Sequence, residues 1–142
     1  MRRERTEEIF TRGNISYNAL NHLKIEITQY NIARQVQIMH FCLEIAFKAN
    51  IDFVLIQEPW IARDNIGTVS HPAYISILPP RKESIRPRVA IFARKNTPYS
   101  YIARPDISTD SDILILQIAG PGISPFQLIN LYNEKGLGEN QK

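Results

Sequence analysis

Ile51-Asp52-Phe53-Val54-Leu55-Ile56-Gln57-Glu58-Pro59-Trp60 is the stretch on which the fold turns. Every residue from Phe53 to Ile56 is apolar; Gln57-Glu58 is polar, and Pro59 stops the run. A short apolar run bounded in this way reads as a strand buried on both faces. Glu58 therefore stands where a buried strand emerges. In sheets flanked by helices, that end is where ligands usually bind. Alone, a Glu at a strand end is an ordinary solvated carboxylate, so its meaning depends on what the rest of the chain brings beside it.

Upstream, Leu23, Ile25 and Ile27 alternate with Lys24, Glu26 and Thr28, which predicts a strand with one apolar face. The same parity runs on through Gln29 to Asn31. Asn31 thus falls on the core side at the strand's end, where a polar amide needs partners; a turn or a helix cap is its ordinary alternative use. Arg34 to Asn50 reads as a helix. Val36, Ile38, Met39, Phe41, Cys42, Ile45, Ala46 and Ala49 cover most of its circumference, and Gln37, His40, Glu44 and Lys48 share one polar stripe. His40 is then a surface histidine, Cys42 a small buried hydrophobe, and Glu44 with Lys48 a favourable i, i+4 pair.

Downstream, Arg63 to His71 reads as a loop, with His71 exposed beside Pro72. Ala73 to Leu78 is a short strand ended by Pro79-Pro80. Val89 to Ala93 is a second strand buried on both faces, and Tyr99 to Ala103 an edge strand. Asp106, Asp110 and Asp112 lack the Gly and terminal Glu of a calcium loop, so they read as a solvated turn. Ile113 to Ile118 is a strand. Gly120-Pro121-Gly122 and Ser124-Pro125 form the connection to a last strand, Phe126 to Tyr132, whose Phe126, Leu128, Asn130 and Tyr132 share one face. One early helix followed mostly by strands predicts an α/β fold with a largely antiparallel or mixed sheet. No G-x-G-x-x-G or phosphate-binding P-loop occurs.

The length of 142 residues suits one domain with a real core. No apolar run reaches membrane-spanning length, and a single cysteine excludes an internal disulfide and any multi-Cys zinc site. An intracellular protein is the expectation. The net charge is a mild +3, but Arg81, Lys82, Arg86, Arg88, Arg94 and Lys95 stand against one acid, Glu83, in a single segment. A local basic cluster of this kind can neutralise phosphates. Residues 1–22 read as a polar leader, 23–133 as the domain, and 134–142 as a polar tail.

Gln29-Tyr30-Asn31, Gln57-Glu58-Pro59 and Ile129-Asn130-Leu131-Tyr132-Asn133, each at the end of an apolar strand, resemble in order and spacing the endonuclease/exonuclease/phosphatase family. That family includes the apurinic endonucleases and the deoxyribonuclease I-like enzymes. Gln57-Glu58-Pro59-Trp60 and Arg86-Pro87-Arg88-Val89-Ala90 look most like the endonuclease domain of fungal non-LTR (LINE-type) retrotransposons. The resemblance covers about Leu23 to Asn133, the amino-terminal half of such a domain. It implies a two-sheet β-sandwich with flanking helices, of which this chain is a part. It implies that Glu58 holds a divalent metal, magnesium, that Asn31 orients that carboxylate or touches phosphate, that Tyr132 donates to the scissile phosphate, and that Asn130 supports the strand end.

The family's downstream D-x-N and S-D-H motifs do not occur in Glu134 to Lys142. The resemblance therefore implies an incomplete catalytic set, with the missing carboxy-terminal half of the domain or a reverse transcriptase region as the partner in a longer product. DNA is the expected partner, Arg81, Lys82, Arg86 and Arg88 its expected contacts, and the nucleus the expected location. Two alternatives stand beside this one. One is a non-catalytic nucleic-acid-binding or interaction module that keeps the basic segment; the other is a phosphatase acting on a small phosphorylated molecule.

Overall fold

A computed structural model describes residues 24–65 and 67–133; the leader and tail read from the sequence lie outside them. The elements are β1 (Ile27–Asn31), α1 (Val36–Lys48), β2 (Phe53–Gln57), β3 (Tyr74–Ile77), β4 (Val89–Arg94), β5 (Ser100–Ala103), β6 (Ile113–Gly120) and β7 (Ile123–Leu131). They form two sheets: a four-stranded one of order β1-β2-β4-β3 and a three-stranded one of order β5-β6-β7. β1 and β2 are parallel, joined through α1, and all other pairs are antiparallel. The expected mixed α/β two-sheet arrangement is therefore the arrangement found.

β2 and β4 form the centre because alternate side chains serve two cores. Val54, Ile56, Ala90 and Phe92 pack under α1 with Met39, Leu43 and Ala46. Phe53, Leu55, Val89, Ile91 and Ala93 face the second sheet and meet Leu114, Leu116 and Ile118. All four residues from Phe53 to Ile56 are buried, each adding about 1.5–3 kcal/mol of apolar burial.

α1 is shorter than the expected 34–50, and only Met39, Leu43 and Ala46 are buried on it. Ile38, Phe41 and Ile45 are exposed, because a single sheet can cover only one stripe of a helix. Cys42 is half-buried against that core, and burial pushes its thiol up. The last strand begins at Ile123 rather than Phe126: only residues 121 and 122 turn, so Ser124-Pro125 lies within β7. An edge strand tolerates such a proline, whose missing N–H breaks no ladder bond.

His71 is not the exposed loop residue expected. Its ring packs between Phe47 and Tyr74, with centroids 5.5 Å from each. Nδ1 accepts from the Ala73 N–H, and Nε2 lies 3.0 Å from Glu44 Oε1. This places His71 at the C-terminal half of α1.

The sheets close at the β6–β7 end around Gly120, where an added Cβ would stand 2.7 Å from Tyr99 Cδ1. Tyr99 is buried and its hydroxyl has no partner among the described residues. Burial pushes its phenol up to about 12 from the ordinary 10.0. Tyr99→Phe removes the orphaned hydroxyl and is expected to raise stability by about 1 kcal/mol. Because the folded phenol holds its proton more tightly than the unfolded one, the folded state keeps its stability below pH 10 and loses part of it as pH rises from 10 towards 12. Urea unfolding at neutral and at alkaline pH checks both points: the substituted protein should lack this part of the alkaline loss.

Candidate active site

Parallel pairing of β1 and β2 puts their C-terminal ends side by side, with Asn31 in register with Gln57. β4 starts at that end and β7 finishes there, since Gln57 pairs with Val89. Four chain segments thus converge on Glu58. A file of backbone bonds joins them. Arg34 N–H donates to Glu58 C=O at 2.8 Å, Glu58 N–H to Arg88 C=O at 3.0 Å, and Arg88 N–H to Ser111 C=O at 3.1 Å. Ala33, Arg34 and Glu58 all take left-handed backbone conformations, with φ of 53°, 62° and 53°. Such conformations cost non-glycine residues on the order of 1–3 kcal/mol each and gather at functional sites.

The side chains follow from this frame. Tyr132 O–H donates to Glu58 Oε2 at 2.6 Å, the short distance of a bond to a charged carboxylate. The Tyr132 ring carries the Arg88 guanidinium 4.8 Å from its centroid. Arg88 in turn grips both Asp112 carboxylate oxygens, from Nε and from Nη2, at 3.0 Å each. Tyr132 N–H donates to Asp112 C=O at 2.9 Å. Asp112, Arg88, Tyr132 and Glu58 therefore form one connected chain of contacts.

Asn130 is 1% exposed and bolts the two sheets together. Its amide nitrogen donates to Ile56 C=O at 3.0 Å and Ala90 C=O at 2.9 Å, the carbonyls of two residues paired in the first sheet. Its Oδ1 is buried without a partner among the described residues. Gln57 Nε2 adds a further bond to Leu131 C=O at 2.6 Å. Asn31 lies at the same end but turns inward on its own chain: Oδ1 accepts the Ala33 N–H at 3.0 Å. The edge position of β1 leaves its side chain exposed rather than in the core.

Arg34 and Arg88, whose backbones bond that of Glu58, line a cleft of about 700 Å³ together with Lys82, Arg86 and Ser108 to Asp112; Glu58 itself is not in its lining. Arg81 is not in its lining; its guanidinium caps Asp64 C=O at 3.2 and 3.1 Å. Two residues enter the site unannounced by the sequence. Asp112 was read as part of a solvated turn, and Arg34 as the plain start of a helix. A strand-opening Asp and an Arg several segments away carry no local signal that they will meet.

Among the described residues no three His, Cys, Asp or Glu side chains gather as a ready ligand set. Glu58 is half-buried, with one carboxylate oxygen held by Tyr132 and the other not hydrogen-bonded to the described residues. A carboxylate oxygen left open in this way is a donor that a hard cation of the magnesium type accepts.

This sandwich, with strand ends meeting at a half-buried Glu–Tyr pair, defines a deoxyribonuclease I-like α/β fold. Among solved structures, the chain is similar to the "Endonuclease domain of TRAS1, a telomere-specific non-LTR retrotransposon", with a TM-score of 0.58 and 19% identity over 78% of this chain. The chain spans 45% of that domain's length. No protein-family profile and no curated protein matches the sequence.

Proposed function

We propose that the chain is the amino-terminal part of a metal-dependent DNA endonuclease of the retrotransposon type, acting in the nucleus on phosphodiester bonds. The observation that carries this is the 2.6 Å bond from Tyr132 O–H to Glu58 at the convergent strand ends. Glu58, with Asn31 beside it, would hold a divalent cation, which supplies charge neutralisation at the phosphate. Tyr132 has one proton to give, and with the Glu58 charge compensated its O–H can turn to a phosphate oxygen. Asp112 and Arg88 hold the Tyr132 ring while this happens. Asn130 keeps the second sheet's end, and so Tyr132, at a constant distance from Glu58.

A second reading, a nucleic-acid-binding module without chemistry, is favoured by the basic cleft and by the lack of a gathered acidic set among the described residues. Metal binding discriminates between them. Trp60, the one tryptophan, lies two residues from Glu58 and serves as the probe. Manganese is expected to quench its fluorescence with an affinity on the order of millimolar, typical of a sparse carboxylate site. Glu58→Gln should lose that quenching. Residues 1–142 alone should show no magnesium-dependent nicking of plasmid DNA, because the D-x-N and S-D-H motifs that the resemblance implies for a complete catalytic set do not occur in the tail. Equal quenching in wild type and Glu58→Gln would remove the metal role; robust nicking by the 142 residues would remove the claim of incompleteness.

A further inference from the structure

The C-terminal half of α1 carries a cluster that the Glu58 site does not use. The His71 side chain is 11% exposed, and its ring lies between Phe47 and Tyr74. Nδ1 accepts the Ala73 N–H at 3.0 Å, so the single proton of the ring sits on Nε2 and is donated to Glu44 Oε1, also at 3.0 Å. Both ring nitrogens are therefore spent, one on the backbone that enters β3 and one on the helix. Further bonds radiate from this turn. Tyr74 N–H donates to His71 C=O at 3.1 Å, and Lys95 N–H to Ala73 C=O at 2.9 Å. The turn at residues 70–73 forms one wall of a groove of about 510 Å³ whose other wall is His40, Glu44 and Phe47, so it borders open space.

We infer that His71 is a proton-operated clasp between α1 and the start of β3, closed while the imidazole is neutral and opened at Ala73 when the ring takes a second proton. That proton can go only to Nδ1, where it meets the Ala73 N–H donor against donor. The backbone bond is then lost, and the Ala73 N–H turns to water in the groove. Nε2–H stays on Glu44 as a charge-assisted bond, the stronger kind. Protonation thus holds the ring to the helix and lets the turn go. The charges around the ring oppose one another. On α1, Glu44 attracts an imidazolium, while Lys48, with Nζ 3.8 Å from Glu44 Oε2, competes for the same carboxylate, and His40 shares the groove. β3 contributes Tyr74, whose O–H is spent on Ile51 C=O at 2.8 Å. β4 contributes Arg94, 4.9 Å from the Phe47 centroid and 5.9 Å from that of Tyr74, and Lys95 follows it beside Ala73. Against these cations, Glu44 is the acid that the ring touches, and so the group that admits the proton.

NMR on the full 142-residue chain between about pH 8 and pH 5 tests this, with the carbon-bound ring protons of His71 reporting its charge. Amide hydrogen exchange reports the clasp. Protection of the Ala73 amide, corrected for the intrinsic pH dependence of exchange, should fall about tenfold or more as the ring titrates. The amides of Leu55 and Ile91, in the two central strands, should stay protected over the same range. His71→Phe keeps the ring stack and removes the switch, so Ala73 should be equally unprotected at every pH. Glu44→Gln keeps an acceptor for Nε2–H but withdraws the counter-charge, so release should need a lower pH. The Glu44 side chain is half-exposed, and this variant decides the matter if His71→Phe does not fold. Ala73 protection that stays constant while the ring titrates would overturn the inference. So would a ring that takes up no proton before the whole chain unfolds, or equal loss of protection at Leu55 and Ile91. Release at an unchanged pH in Glu44→Gln, or a pH-dependent release that survives in His71→Phe, would overturn it as well.

Discussion

On the proposed function, Glu58→Gln is expected to lower magnesium-dependent nicking roughly a thousandfold or more in a chimera of residues 1–142 with the carboxy-terminal part of a longer endonuclease of the same fold. The amide keeps the shape of the side chain and the acceptor for Tyr132, whose O–H now donates to Glu58 Oε2 at 2.6 Å. What it loses is the negative charge. A hard cation draws its affinity from charge, and one Glu58 oxygen accepts no hydrogen bond from the described residues. Nicking at single phosphodiesters, measured as supercoiled-to-open-circle conversion, gives the rate. Near-full activity in the Glu58→Gln form would end the metal-ligand assignment. Loss of activity together with loss of the fold would show instead that Glu58 is structural, and circular dichroism separates these cases. Its left-handed φ of 53° is kept by Gln, so a large backbone effect is not expected.

Asn130→Asp should produce the largest loss of stability, about 3–5 kcal/mol. Natural domains hold only about 5–15 kcal/mol in total, so most of the folded population is at risk. The cause is specific. Asn130 Nδ2 donates to Ile56 C=O and Ala90 C=O from a position 1% exposed. A carboxylate there would press acceptor against two acceptors and bury a charge. Asn130→Ala avoids the charge but leaves both carbonyls without that donor, and should cost about 2–3 kcal/mol. Urea unfolding followed by Trp60 fluorescence ranks the two. An Asn130→Asp protein as stable as wild type would mean that the amide does not hold the sheets together.

The sequence alone determined the parts of this fold that depend on local alternation. Phe53 to Ile56 and Val89 to Ala93 are legible as doubly buried strands because four or five apolar residues in a row have no solvent face to offer. Phe126, Leu128, Asn130 and Tyr132 share a face because side chains on a strand repeat every second residue. That Asn31, Glu58 and Tyr132 each stand at a strand end is legible from where the apolar runs stop, but the parity read for β1 is the wrong one: Ile27 and Asn31 are exposed, and Thr28 and Tyr30 lie inward, because this edge strand turns its other face to the core. The limits of helix α1 and the start of β7 were less legible, since apolar residues at Ile38, Phe41 and Ile45 look like core until it is known that a single sheet lies against one stripe.

Only the tertiary structure decided which partners the polar groups take. Arg88 meets Asp112 across 24 residues of chain, and Asn130 reaches Ile56 across 74. His71 is drawn into a stack with Phe47 and Tyr74, and Arg34 is turned towards the cleft by a backbone bond to Glu58. These pairings are set by how two sheets pack and in what register, and a side chain's own neighbours in sequence carry no information about that. Burial can be read from a pattern of two or four residues, whereas hydrogen-bond partnership between distant segments exists only once the chain has closed on itself.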